Sequence, residues 1–405
     1  MNLSFCMIVK NEEQNLARCL NSVKGFVNEM VVLDTGSTDR TPDIAKELGA
    51  QVYYSEWSDD FASARNTALK YVTGDWILVL DADEYLVPEI IPQIQQAITQ
   101  ENCLVINLIR EEVGASQSPY SLVSRLFRSH SKIQFNRPYH ALIDDSVSQI
   151  LKQECRWQIQ SLPDIAILHE GYQADAIAQR NKQKVAKESM ERYLIENPDD
   201  PYVASKLGAL YVDMGNIVGG IKLLEKGLKQ LDLETGKSKA KVDNALVYEL
   251  HYHLGIAYRK QQKLTEAKHH YEIARDVEIL PQLKLGAYNN LGNLLKDTGH
   301  LLEAKDAYQT TLQIDPNFIQ GYYNLGMTLR ATGDYAEAIA AYQKAIQLDP
   351  NYAEAYQNLG VALLSAGKVL SGLEALKTAV ALHEKTNPTE AERLRETLQQ
   401  IGFNL

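Results

Sequence analysis

The sequence predicts an α/β domain followed by an all-α solenoid of helical hairpins. Two patterns carry that reading. Over the first 80 residues short apolar runs alternate with helical patterns, and in the back half a Leu-Gly pair recurs at a near-constant interval. A length of 405 residues leaves room for two to three folding units at ~150 residues each.

Composition narrows the function classes. Apolar content of 45% and charged content of 23% suit a globular protein, and no 18-residue apolar run suggests a membrane span. The start MNLSFCMIVKNEEQ reads as a buried strand, since it lacks a basic region and a small-residue cleavage pattern. Cys6, Cys19, Cys103 and Cys155 show no CxxC spacing, which points away from a zinc site or disulfide framework and toward the cytoplasm. Residues 1–172 hold 14 Lys+Arg against 23 Asp+Glu, so most of the net charge of −11 lies in front. Nucleic acid is therefore a poor partner, because its affinity comes from cationic neutralisation of phosphates.

In chain order, strands are expected at Leu3–Val9, Met30–Leu33, Gln51–Tyr54 and Trp76–Leu80, with helices over 12–23, 40–48 and 61–71. Such alternation implies a parallel sheet, whose ligands bind beyond the carboxyl ends of its strands. Those ends read Lys10-Asn11-Glu12, Asp34-Thr35-Gly36-Ser37-Thr38-Asp39 and Asp81-Ala82-Asp83-Glu84. Asp39 is as readily a helix N-cap as a ligand. Asp81 and Asp83, two apart at a strand end, are expected on one face, where their charges would raise each other's pKa unless a cation intervenes. Mg²⁺ or Mn²⁺ fits an oxygen-ligand pair completed by phosphate. Trp57 and Trp76 are expected in the core.

The segments "SFCMIVKNEEQNLARCLNSV", "MVVLDTGSTDRT", "WSDDFASARNTAL" and "GDWILVLDADEYL" resemble the successive motifs of family 2 glycosyltransferases of the GT-A fold, in the branch fused to tetratricopeptide (TPR) repeats. The resemblance spans about residues 1–172. It implies a nucleotide-sugar donor, UDP-linked by default, with Asp34 and the backbone around Val9 and Lys10 at its base or ribose. It also implies that Arg65 and Asn66 face the nucleotide, that Asp81 meets ribose or metal, and that Asp83 is the main metal ligand of a DxD motif. Thr35 stands where many relatives carry a second Asp, which leaves base recognition open.

An inverting transferase needs a general base. Repeat-fused relatives carry a His-Glu pair after an RLFR-like strand; here Arg125-Leu126-Phe127-Arg128 is followed by "RPYHALIDDSV", with Ala141 in the Glu position. Asp144, Asp145 and His140 are the candidates for that base. His169, in "IAILHEGY", is the candidate third metal ligand.

A helix over 173–200 links to the back half. There Gly292, Gly326 and Gly360 are 34 residues apart, each followed by a small residue after 12 positions and a large one after 16. Two antiparallel helices need that combination. The stretch "YYNLGMTLRATGDYAEAIAAYQKAIQLDPN" resembles the tetratricopeptide repeat, covering residues 201–383, with a capping helix over 384–405. Gly208 and Gly255 are 47 apart, so an insertion near 232–243 is expected. Gly236-Lys237-Ser238 is not a phosphate loop, because Leu231 takes the position of its leading glycine. Asn290, Asn324 and Asn358 recur two residues before the repeat glycines and resemble the asparagine ladder of protein O-GlcNAc transferases. They are the expected acceptor contacts for a peptide, protein or glycan in the TPR groove, and a homodimer is a further expectation. Two other readings compete: a non-catalytic TPR adaptor with a decayed transferase domain, and a nucleotidyltransferase. The second would need a glycine-rich loop that MIVKNEEQ lacks.

Overall fold

The computed structural model describes residues 1–115, 117–170, 176–237, 243–400 and 402. The chain divides into two compact units, Met1–Leu246 and Val247–Leu405.

In the first unit, the apolar run LSFCMIV forms β1 (Leu3–Val9), buried on both faces as a central parallel strand must be. α1 (Leu16–Val23) returns along the sheet, burying Leu16, Cys19, Leu20 and Val23 on one helical face. β2 (Glu29–Asp34), α2 (Thr41–Glu47) and β3 (Gln51–Tyr54) follow. α3 (Phe61–Ala68) starts where Asp60 accepts from the Ser63 amide, at 3.0 Å. β4 (Trp76–Val79) pairs parallel to β1, and Trp76 is fully buried as expected. Trp57 is not core: it is half-buried, donates to Asp59 at 2.8 Å and meets Phe61 edge-on.

Of the second half of the sheet, only the strand carrying Arg125-Leu126-Phe127-Arg128 was expected. β5 (Glu84–Leu86), α4 (Ile91–Ala97), β6 (Cys103–Glu112), β7 (Tyr120–Arg128), α5 (Asp144–Gln153) and β8 (Gln158–His169) complete a mixed eight-stranded sheet of order β3-β2-β1-β4-β7-β6-β8-β5. β7 runs antiparallel to β4, and β8 antiparallel to β5. The last pairing sets Glu84 opposite His169.

Helices α6 (Ala176–Glu196), α7 (Pro201–Asp213) and α8 (Ile217–Lys237) belong to the same unit. The expected insertion takes the form of a long α8, helical through Lys237; residues 238–242 of that stretch lie outside the described ones.

The second unit continues the hairpins from α9 (Asn244–Lys260) and α10 (Leu264–Asp276) through α11 (Leu285–Asp297), α12 (Leu301–Ile314), α13 (Ile319–Thr332) and α14 (Tyr335–Leu348). α15 (Ala353–Ser365), α16 (Val369–Thr386) and α17 (Pro388–Gln400) end it. Spacing becomes packing here. A Cβ on Gly326 would lie 2.7 Å from Tyr342 Cε1, and Gly292 meets Tyr308 in the same way, so only glycine lets the paired helices close. Among the described residues, no helix is long and apolar enough to cross a membrane.

Candidate active site

The strand ends gather a dense ionic cluster. Beyond β4 the chain turns, with the Asp81 amide donating to Glu84 Oε2 at 2.9 Å and the Glu84 amide to the Asp81 carbonyl at 3.0 Å. The alternation of the strand therefore stops before the acid pair, and each carboxylate finds its own cation. Asp81 Oδ1 accepts from Arg65 at 2.6 Å and Oδ2 from Arg125 at 2.8 Å. Burial works to raise the Asp81 pKa, but Arg125 and Arg65 outweigh it and hold the carboxyl well below its ordinary range. This corrects the expectation of a matched ligand pair: both oxygens of Asp81 are engaged by guanidinium groups.

Asp83 faces elsewhere. Its Oδ2 lies 3.2 Å from His169 Nε2, and His169 Nδ1 is hydrogen-bonded to Glu112. Burial opposes the charged imidazole, yet the two carboxylates prevail and push its pKa up to about 10. Burial likewise opposes ionisation of Asp83 and Glu112, and His169 lowers both below their ordinary values. The antiparallel β5–β8 pairing makes the meeting, as the Glu170 amide also donates to the Asp83 carbonyl at 3.1 Å.

Arg110 and Glu112 escaped the sequence reading, and Glu84 and Arg125 were named there only as parts of a strand end and a strand. Arg110 bridges Glu84 at 2.7 Å and Glu112 at 2.6 Å, and Arg125 reaches Asp81 from β7. Glu84 has no exposed surface. The signal was Arg110 and Glu112, two apart on one face of an otherwise apolar strand.

Polar atoms without partners mark where a ligand would fit. Arg65 Nε and Nη1, Arg125 Nη1 and Asp34 Oδ2 are buried and unpaired. Unpaired buried donors are costly, and two guanidinium groups in this condition suit an anionic or oxygen-rich ligand. Asp34 Oδ1 accepts from the Gly36 and Ser37 amides at 3.0 and 2.9 Å, which aims the second oxygen away from its own turn. Lys10 is exposed at the end of β1.

Other expected contacts are corrected. The Val9 carbonyl is taken by the Thr35 amide at 2.9 Å and the Thr35 hydroxyl at 3.1 Å. Asn66 uses both ends of its amide on the backbone of Phe135, at 2.9 and 2.7 Å, and so clamps that segment instead of facing a nucleotide. Asp39 accepts from the Thr41 and Glu13 amides, the structural role of a helix-start acid.

The three base candidates separate. Asp145 is bound through both oxygens by Arg137, at 3.0 and 3.3 Å. His140 is exposed, with a left-handed backbone (φ 53) and its ring edge-on to Tyr139. Asp144 opens α5 with Oδ2 buried and unpaired, while Oδ1 meets the Ser124 hydroxyl at 3.1 Å. Burial pushes its pKa up to about 6, with the Ser124 hydrogen bond pulling the other way. A base so tuned matches proton abstraction near neutral pH.

The asparagine ladder is also corrected. Asn290 and Asn324 are only 3% exposed. Asn324 donates to Asn289 at 3.0 Å, Asn290 to Tyr252 at 3.3 Å and Asn358 to Tyr323 at 3.1 Å. The amides join successive repeats to one another.

The fit of a divalent cation rests on the Asp83–His169 pair. An imidazole whose far nitrogen is fixed by a carboxylate is the arrangement that orients metal-ligating histidines. Among the described residues no three His, Cys, Asp or Glu side chains converge on one point, so the chain itself would offer two ligands, fewer than such an ion takes.

Comparison with known proteins agrees with this architecture. The model of the family "Glycosyl transferase family 2" matches residues 4–159, and tetratricopeptide models match 285–318, 307–340 and 326–367. A TPR repeat-containing protein of Synechococcus elongatus is 43% identical over 314 residues, covering 78% of this chain and 76% of that protein. The SPbeta prophage-derived glycosyltransferase SunS of Bacillus subtilis is 29% identical over 202 residues, covering 48% of this chain and 46% of its own. Among solved structures, YrrB, a TPR protein with an unusual peptide-binding site, is 19% identical at a TM-score of 0.41, covering 52% of this chain and 99% of that one.

Proposed function

Since the chain belongs to the family 2 glycosyltransferases that carry tetratricopeptide repeats, we propose that it moves a sugar from a nucleoside-diphosphate donor, UDP-linked in the first instance, to an acceptor with inversion. One observation carries the reading: Asp83 and His169 converge at 3.2 Å within an ionic cluster whose two arginines keep buried N–H groups unpaired. Asp83 and His169 would hold Mn²⁺ or Mg²⁺, with Glu112 fixing the imidazole. Such an ion, when bound, supplies positive charge to a departing diphosphate.

The chain's own residues do the rest. The free N–H groups of Arg65 and Arg125 suit donor oxygens, and Asp34 Oδ2 suits a donor on the ribose or base. Asp81 keeps both guanidinium groups in place, so donor atoms meet a preformed site. Asp144 takes the proton of the attacking acceptor, and its burial keeps that proton affinity near working pH. The repeats support a protein or peptide partner, held by residues other than the three asparagines. Free thiols at all four cysteines favour the cytoplasm.

Scanning fluorimetry of the whole chain against UDP-, GDP- and dTDP-sugars, with and without Mn²⁺, tests this. A ligand at 100 times its Kd stabilises by about 2.7 kcal/mol. A metal-dependent shift from one nucleotide, lost in Asp83→Ala, is expected. No shift from any nucleotide, with or without Mn²⁺, would remove the reading.

A further inference from the structure

We propose that Arg137 is a positioning residue that fastens the start of α5, and with it Asp144, to the first repeat helix, so that α7 is part of the transferase site's support. The role of Asp144 rests on the function proposed above; the fastening itself does not.

The Arg137 side chain is 6% exposed, and its guanidinium joins anions from two different elements. Nη1 and Nη2 grip both oxygens of Asp145 at 3.0 and 3.3 Å, and Nε donates to Asp200 Oδ2 at 2.8 Å. The group also lies 5.0 Å from the ring centre of Tyr202. Asp200 is fixed in turn: its Oδ1 accepts from the Val203 amide at 3.0 Å and caps α7, and its Oδ2 accepts from the Tyr193 hydroxyl at 3.3 Å. Asp145 and Asp144 share the first turn of α5. A shift of one moves the other.

The segment between is held from several sides. Asn66 clamps Phe135, Asn136 and Leu142 exchange backbone hydrogen bonds at 2.8 and 3.2 Å, and the Pro138 carbonyl accepts from the Phe61 amide at 3.0 Å. Tyr139 packs against the apolar group of Met190, Val203 and Leu207. Arg137 itself has φ +77, a conformation that a non-glycine residue keeps only where its surroundings enforce it. Only a planar fork reaches two carboxylates from one side chain in this way; a lysine offers a point charge.

The test uses the full chain. Asp200→Asn keeps a good N-cap for α7 but removes the anion that anchors Arg137. UDP release from UDP-glucose and UDP-N-acetylglucosamine with Mn²⁺, water serving as acceptor, should fall about tenfold or more in kcat, because small misplacements of a reacting group cost up to about 10²-fold. KM for the donor should hold, a split that general loss of structure would not produce. Hydrogen exchange of the α5 amides should quicken. Arg137→Lys, which keeps the charge and loses the fork, should change kcat and exchange in the same direction. Wild-type kcat with unchanged α5 exchange in both variants overturns the inference. A wild-type protein that releases no UDP from either sugar, yet shows faster α5 exchange in Asp200→Asn, upholds the fastening and counts against these two donors, while the fluorimetry above decides the transferase reading.

Discussion

Replacing Asp81 by Asn separates two views of the acid pair by the sign of its effect. If Asp81 and Asp83 were bare metal ligands, ligand-free protein would gain stability from losing one of two repelling charges. The geometry gives the opposite sign. Arg65 and Arg125, with side chains 7% and 14% exposed, both depend on Asp81 and already have unpaired N–H groups. Removing one partner of a buried ion pair costs about 3–5 kcal/mol. Asp81 is itself 35% exposed, so water screens part of the loss, and a cost of about 3 kcal/mol is expected. For a unit of this size each kcal/mol moves the melting point by about 2–4 °C, which gives a fall of about 6–12 °C. Calorimetry of metal-free protein, following the transition of residues 1–246, reads this directly. An unchanged or raised melting point would refute the reasoning.

Asp144→Asn should lower kcat by about 10²–10⁴-fold, the range for losing a general base, while the nucleotide-induced thermal shift survives. In the wild type kcat/KM should rise with pH through about 6 as Asp144 ionises, and Ser124→Ala should move that limb upward, since the hydroxyl favours the carboxylate. Asn324→Ala should destabilise the second unit by about 1–3 kcal/mol, because Asn289 and Gln320 lose a buried partner. A chain whose melting is unmoved, but whose affinity for a protein partner drops, would restore the ladder as a binding device. Gly326→Ala should cost about 1–3 kcal/mol through the clash with Tyr342, read as a lower denaturant midpoint for that unit.

Local pattern revealed the elements, and distance hid the partners. β1 and β4 are unbroken apolar runs, and the acids that follow them stand out in the chain. Nothing near Asp81 announces Arg125, which arrives 44 residues later on a strand of opposite direction. His169 was legible as a histidine at a strand end, but its meeting with Asp83 requires the antiparallel pairing of β5 and β8. Tyrosine against glycine in the repeats was readable because both recur within one hairpin. The asparagines recur just as regularly, yet a period of 34 does not say whether an amide faces a groove or the next repeat. Trp57 was expected inside because it precedes the helix start at Asp59-Asp60; its indole N–H instead pairs with Asp59, which keeps one edge in water.

The sheet order carries a consequence for synthesis. β5 is an edge strand, and among the described residues its one neighbour in the sheet is β8. A growing chain that has released Leu86 must lengthen by most of a domain before His169 leaves the ribosome. At about 5–20 residues per second, that interval is about 4–17 s. Throughout it Glu84 and Asp83 have no strand beside them, and the cluster cannot close. β8 thus acts as a latch, and the ionic cluster is completed only once that strand has been made.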